Sequence, residues 1–335
     1  MDVLAGLLDG PRARGAFLLR MVMRPPWSVR VEDEATLCVL CMTKGEAWII
    51  PDVCEPVLLR PGDVAIVRGP GHYTTADRAD REPTALIGPG GTCHTLQGEP
   101  LAESMSLGVR SWGNDPAGSS TMLVGTYQMK GEVSTRLLDA LPDVVHLSAE
   151  TLTCPLMPVL DEEISRDEPG QSVMLDRILD LVLVAALRTW FSRPDAAAPA
   201  WYRAMGDPVV GQALRLMQDD PSYPWTVASI ADKCGVSRAG LARRFTDLVG
   251  EPPMAYLTGL RLALAADLLR DTDATVEAVA RKVGYSGSFA LSAAFKRVRG
   301  ISPQEHRTGQ APANGGLPKP QQHSPEGRSD ATLEP

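Results

Sequence analysis

Apolar positions follow two rhythms along this chain, and the change of rhythm divides it. Over residues 3–147 they come in short runs, at 15–23, 37–42, 47–50, 56–59 and 64–67, cut by Gly and Pro. Runs of that length, closed by turns such as Arg60-Pro61-Gly62-Asp63 and Gly88-Pro89-Gly90-Gly91, predict strands of an antiparallel barrel or sandwich. Beyond Glu132 the spacing lengthens. Residues 134–141, 155–166 and 172–191 have helical length, and in the last Val173, Leu175, Ile178, Leu179, Val182, Leu183, Ala186 and Trp190 make a broad apolar face. That face needs a cover, and two are open: the β-domain in front of it, or a second copy in a homodimer. Residues 193–204 read as a linker, and 308–335, rich in Pro, Gly, Gln and Ser, as a disordered tail.

Between linker and tail the helical pattern occurs twice. Val227, Ile230, Ala231, Cys234 and Gly235 recur 49 positions later as Val276, Val279, Ala280, Val283 and Gly284. Leu241, Phe245, Leu248, Gly250 and Pro253 recur 50 later as Leu291, Phe295, Val298, Gly300 and Pro303. Each copy opens on a threonine, Thr226 or Thr275, able to cap a short amphipathic helix. Gly235 or Gly284 then permits a left-handed stop, and Ser237 or Ser286 can cap a second helix. Helix, glycine turn, helix is the frame in which the second helix enters the major groove of DNA. Arg238, Ala239, Ala242 and Arg243 would face outward, with Arg244 beside them, and Leu241, Phe245 and Leu248 inward. A long helix between the units, with Leu257, Leu260, Leu264 and Leu268 on one face, would set their separation. If both read one side of a duplex, they sit in successive major grooves roughly 34 Å apart.

The charge of −8 would argue against a nucleic-acid partner if it were spread evenly. It is not: residues 201–307 hold 14 Lys and Arg against 11 Asp and Glu, so the acidic excess lies elsewhere. No apolar run reaches the roughly 18 residues of a membrane helix, and the start, with Asp2 and Asp9, lacks the basic region of a signal peptide. The expectation is a cytoplasmic protein with no membrane partner, whose Cys38, Cys41, Cys54, Cys93, Cys154 and Cys234 stay thiols.

These residues resemble the AraC/XylS family of transcriptional regulators. The pattern covers about a hundred residues and closes with Gly284-Tyr285-Ser286, Ala294-Phe295-Lys296-Arg297, Gly300-Ile301-Ser302-Pro303 and His306-Arg307. The resemblance implies that Ser288, Phe289, Ser292 and Ala293 are the base-facing positions of the second unit, as Arg238, Ala239, Ala242 and Arg243 are of the first. Where members often carry Arg this chain has Ala293, so the second unit is expected to act mainly through backbone contacts from Lys296 and Arg297. More weakly, 58–67 with Pro70, Gly71 and His72 resemble the second motif of cupin-like regulatory domains. Together the two resemblances imply an α+β protein: a cupin-like β-barrel with a helical extension (residues 1–192, regulation and dimerisation), a linker (193–204), an all-α domain of two helix-turn-helix units (205–307) and the tail. They imply double-stranded promoter DNA and RNA polymerase as partners, activation as the outcome, and a small-molecule effector.

Candidate chemistry in the front half is sparse. His72, His94 and His146 include no His-x-His pair, so a metal-dependent cupin enzyme is the lesser reading; no cofactor, metal site or catalytic residue is expected. Cys38 and Cys41, three apart on a strand, should point to opposite faces and serve as apolar filling. Cys93 beside His94 is the better reactive thiol, since an imidazolium can lower a thiol's pKa, and it carries an alternative reading, a redox-responsive regulator.

Overall fold

A computed structural model describes residues 17–128, 138–152, 154–193 and 198–309. The predicted tail beyond 309 and residues 134–137 of the predicted helix 134–141 lie outside them. Twelve strands of the front half form two six-stranded sheets rather than one closed barrel. In the first, β10 (Ser111–Gly113), β1 (Phe17–Met23), β11 (Ser120–Tyr127), β3 (Leu37–Lys44), β6 (Val64–Arg68) and β12 (Val144–Leu147) lie in that order. In the second the order is β5 (Val57–Leu59), β4 (Ala47–Pro51), β7 (Tyr73–Ala76), β2 (Ser28–Val31), β8 (Ala85–Ile87) and β9 (Cys93–Thr95).

The apolar run of β3 explains the layering. Cys38, Leu40 and Met42 join the core shared with the second sheet, whereas Leu37, Val39 and Cys41 join a core built with helices α1 (Leu156–Glu163) and α2 (Gln171–Phe191). A strand covered on both faces needs no polar side, and its sequence therefore reads as a continuous apolar stretch. A barrel needs apolar side chains only inside, so this extra apolar face is what the helical layer answers. Cys38 and Cys41 accordingly point to opposite sides of the sheet. Cys38 accepts a hydrogen bond from the Tyr73 hydroxyl at 3.3 Å, and burial pushes its thiol up to about 12.

The broad face of α2 is covered by the protein's own sheet. Leu175, Ile178, Leu179, Val182, Leu183 and Ala186 are all buried there, with Val173 turned to solvent instead. Gly125 on β11 makes the approach possible, since a Cβ at that position would fall 2.5 Å from Leu179 Cδ2. The need for a second copy to cover this face is thereby removed.

Residues 200–204 are not a free linker. They form helix α3 (Ala200–Ala204), whose Tyr202 ring lies 4.9 Å from that of Phe191, while Trp201 packs against both the α2 core and the first C-terminal core. Behind α3 come α4 (Val210–Asp219), α5 (Val227–Lys233), α6 (Arg238–Val249), α7 (Pro253–Asp271), α8 (Val276–Lys282), α9 (Ser288–Arg299) and α10 (Pro303–Arg307). Two separate cores result. Phe245 centres the first with Leu241, Ile230 and Leu214, and Phe295 the second with Leu291, Val279 and Leu269.

Helix α7 serves both cores, giving Tyr256 and Leu257 to the first and Leu262, Ala265, Ala266 and Leu269 to the second. The predicted stripe was too simple for that reason: of its four leucines only Leu257 is fully buried, because the cores meet the helix on different sides. Leu248 is likewise 40% exposed, and Val249 takes the inner position expected of it.

Candidate nucleic-acid interface

Each helix-turn-helix unit is set by caps that the sequence announces. Thr226 and Ser229 form a capping box at the start of α5, and the Thr275 hydroxyl accepts from the Ala278 N–H at α8. Gly235 and Gly284 adopt φ of 67° and 87°, the left-handed region in which a glycine carries no Cβ penalty. Ser237 accepts from the Gly240 N–H at 3.1 Å and so caps α6. The second unit departs from this plan. Ser286 does not cap α9; the Glu277 carboxylate, from α8, accepts the Ser288 N–H at 2.7 Å. That bond, with Arg281 at 3.0 Å, holds the Glu277 carboxyl below the usual carboxylate range.

The outward face of α6 carries Arg238, Ala239 and Arg243, all exposed, with Ala242 half-buried. Among the described residues neither arginine makes a hydrogen bond or ion pair, so both guanidinium groups keep their donors for a ligand. Arg244 differs. It is tied to Asp207, which receives its Nε at 3.0 Å and Nη2 at 2.6 Å, and Asp207 Oδ1 also accepts the Val209 and Val210 N–H groups at the start of α4. Burial works to raise the Asp207 pKa, but these donors offset it and leave the carboxyl below its usual range. Arg244 is therefore engaged within the fold, unlike its neighbour. An Asp just before an amphipathic helix is a readable capping signal, but its partner 37 residues on is not.

On α9, Ser288 and Ser292 are half-buried, Ala293 exposed, and Lys296 and Arg297 exposed one turn further. Phe289 is 88% exposed. The terminal Arg307 turns inward, donating to the carbonyls of Leu269 and Ala274, and so fastens α10 to the end of α7. Arg261, which sequence reasoning overlooked, does the same at the other junction: its Nε and Nη2 donate to the Pro221 and Tyr223 carbonyls at 2.7 and 2.8 Å.

In the front half a cavity of about 480 Å³ opens between the sheets, walled mainly by apolar side chains such as Met21, Leu40, Ile87, Trp112 and Met122. Thr75 lines it and is only 3% exposed, and its hydroxyl has no hydrogen-bond partner. Cys93 also lies in the wall, whereas His72 and His94 do not line it. Burial pushes the Cys93 thiol up, opposite to the direction a reactive thiolate requires. His72 stands on the surface with Nδ1 3.7 Å from Glu32 Oε1. In the Gly62-Asp63 turn, Asp63 accepts the Arg60 and Ala149 N–H groups and meets His146 Nε2 at 3.1 Å, a clamp of the turn rather than a ligand set. Among the described residues no three His, Cys, Asp or Glu side chains gather as a metal site requires, and no helix is long and apolar enough to cross a membrane.

Comparison with known proteins agrees with this division. The cupin family matches residues 2–192 and a helix-turn-helix domain family residues 230–309. The HTH-type transcriptional regulator AlkR of Acinetobacter baylyi is 34% identical over 319 residues, 92% of this chain and 99% of that protein. An AraC-like transcription regulator of Streptomyces lividans is 31% identical over 313 residues, 92% of this chain and 98% of that one. Among solved structures, an AraC-type transcriptional regulator from Chromobacterium violaceum is 30% identical over 32% of this chain and 96% of its own, with a TM-score of 0.30. Similar to such regulators over nine-tenths of its length, this chain belongs to the AraC family of DNA-binding transcription regulators, in the group whose N-terminal domain is a cupin.

Proposed function

We propose that α6 and α9 read successive major grooves of promoter DNA, with α6 dominating the choice of sequence, and that a small molecule held in the cupin cavity adjusts this reading. The observation that carries the first part is the pair Arg238 and Arg243, exposed and without partners on the outward face of a recognition helix. Arginine is the side chain that reads guanine O6 and N7 with two parallel donors. Helix α9 supplies Lys296 and Arg297 for phosphates, which fix register without specifying sequence. The test is selection of bound sequences from a random pool at two salt concentrations. Two enriched blocks about one helical turn apart support the reading, and enrichment lost uniformly with salt, without a sequence, opposes it.

On such an operator, Arg243→Ala should cost about 1–3 kcal/mol and relax the preference at one base pair, whereas Lys296→Ala should weaken every sequence alike and reduce the salt slope by about one. Equal, sequence-independent losses from both would remove Arg243 from base reading.

For the second part, the cavity falls within the range of small-molecule sites, and its apolar wall with one unsatisfied hydroxyl suits a compact, largely apolar molecule bearing a hydrogen-bonding group. An effector found by its influence on operator affinity should lose that influence in Thr75→Met, which fills the wall, while affinity without effector is kept. The protein acts in this reading as a non-catalytic regulator. Activation through a contact with RNA polymerase follows from the family resemblance.

A further inference from the structure

The most exposed large apolar side chain among the described residues stands on a recognition helix. Phe289, 88% exposed, is the second residue of α9. Successive α-helical residues turn by about 100°, so Phe289 shares a face with Ser292, Ala293 and Lys296 and stands opposite the buried Leu291 and Phe295. It is therefore not a core residue displaced outward. Nothing in its own unit needs it, because the second core is complete without it.

Its neighbours narrow what it can meet. Ser288, Ser292 and Ala293 are short and uncharged, so the first two turns of α9 carry no side chain able to hold a guanine with two donors. The cations of this helix, Lys296, Arg297 and Arg299, all lie in its last turn. An apolar side chain at the N-terminal end, where recognition helices touch base edges, finds one apolar group in the major groove: the 5-methyl of thymine.

We propose that Phe289 gives the second unit its sequence preference by packing on a thymine methyl group. The inference rests on the reading of α9 as a major-groove helix. It assigns to this unit a thymine read by apolar contact, in place of a guanine read by hydrogen bonds. Ser292, one turn on from Phe289, can donate to an acceptor on an adjacent base but cannot discriminate a thymine by its methyl, and Ser288 is engaged by the Glu277 carboxylate.

The experiment uses the full chain and the selected operator. Each thymine of the second block is replaced in turn by deoxyuridine, which removes the methyl and leaves every hydrogen-bonding group in place. For the wild-type protein one replacement should weaken binding about fourfold, the value of one buried methyl-sized group, and the others should not. Phe289→Ala should bind the unmodified operator more weakly and be indifferent to the same replacement. Because Phe289 is exposed, its removal leaves the fold intact, and an unchanged thermal transition verifies this. The proposal is overturned if no thymine in the second block is sensitive, or if the sensitive one stays equally sensitive in Phe289→Ala. If instead no second block is enriched and α9 contributes only a sequence-independent, salt-dependent affinity, the groove reading itself fails, and this proposal with it.

Discussion

Replacing Phe295 with Ala is expected to lower the stability of the second helix-turn-helix unit by about 3–5 kcal/mol, the range for a phenylalanine emptied from a closed core. Phe295 has no solvent exposure, is enclosed by Leu291, Val279 and Leu269, and is flanked by the His306 ring in a T-shaped pair at 5.4 Å and by the Arg299 guanidinium over its face at 5.0 Å. A loss of that size is a large part of the 5–15 kcal/mol that holds a typical domain together. The consequence should be local. Phe245 sits in a different core, with only α7 shared between the two. Hydrogen exchange should therefore lose protection across α8, α9 and α10 and keep it across α4, α5 and α6. Affinity for a two-block operator should fall to that for the first block alone. Phe245→Ala should give the mirror image, and uniform loss of protection from either substitution would mean that the cores do not act separately.

Much of this architecture is legible in the sequence, and the parts that are not share a cause. The repeat of Phe245 at Phe295 and Gly235 at Gly284, the threonine caps, and strands β3, β4 and β6 are local patterns, and each forms close to where its spacing places it. The errors arise where a residue answers to something far along the chain. Leu260, Leu264 and Leu268 look like one stripe but α7 is gripped from two sides. The cap of α9 comes from Glu277, eleven residues before Ser288. Strands β8, β9 and β10 are three residues long, too short for a period of two to register. The cavity was invisible for the same reason. It is walled by residues from Leu19 to Gln128, and Thr75, its one unsatisfied buried hydroxyl, sits on a strand that no apolar run announces. Arg238, Ala239, Arg243 and Phe289, the residues proposed to meet DNA, lie exposed on helices whose inward faces are fixed by the repeat, which makes their exposure easier to read from the sequence than anything in the front half.

The two turn glycines are the same residue in a repeat, yet they should respond differently to Ala. Gly235 has φ of 67° with nothing within 4 Å of a Cβ added there, so Gly235→Ala meets only backbone strain, about 1–2 kcal/mol. Gly284 has φ of 87°, and its Cβ would lie 2.7 Å from the Ser222 carbonyl oxygen and 2.8 Å from both Ser222 Cα and Arg261 Nη2. Strain and collision together should cost about 2–5 kcal/mol, because the obstacle is backbone, and the arginine is held at both nitrogens by the Pro221 and Tyr223 carbonyls. The collision can be relieved only by moving the second unit away from the 221–223 segment and α7, which together connect it to the first. Gly284→Ala should therefore weaken binding to a two-block operator at its selected spacing far more than binding to an isolated first block, while Gly235→Ala lowers the thermal midpoint modestly and leaves the spacing preference as it was. Equal effects of the two substitutions on stability and spacing would show that the Gly284 turn does not set the geometry between the units.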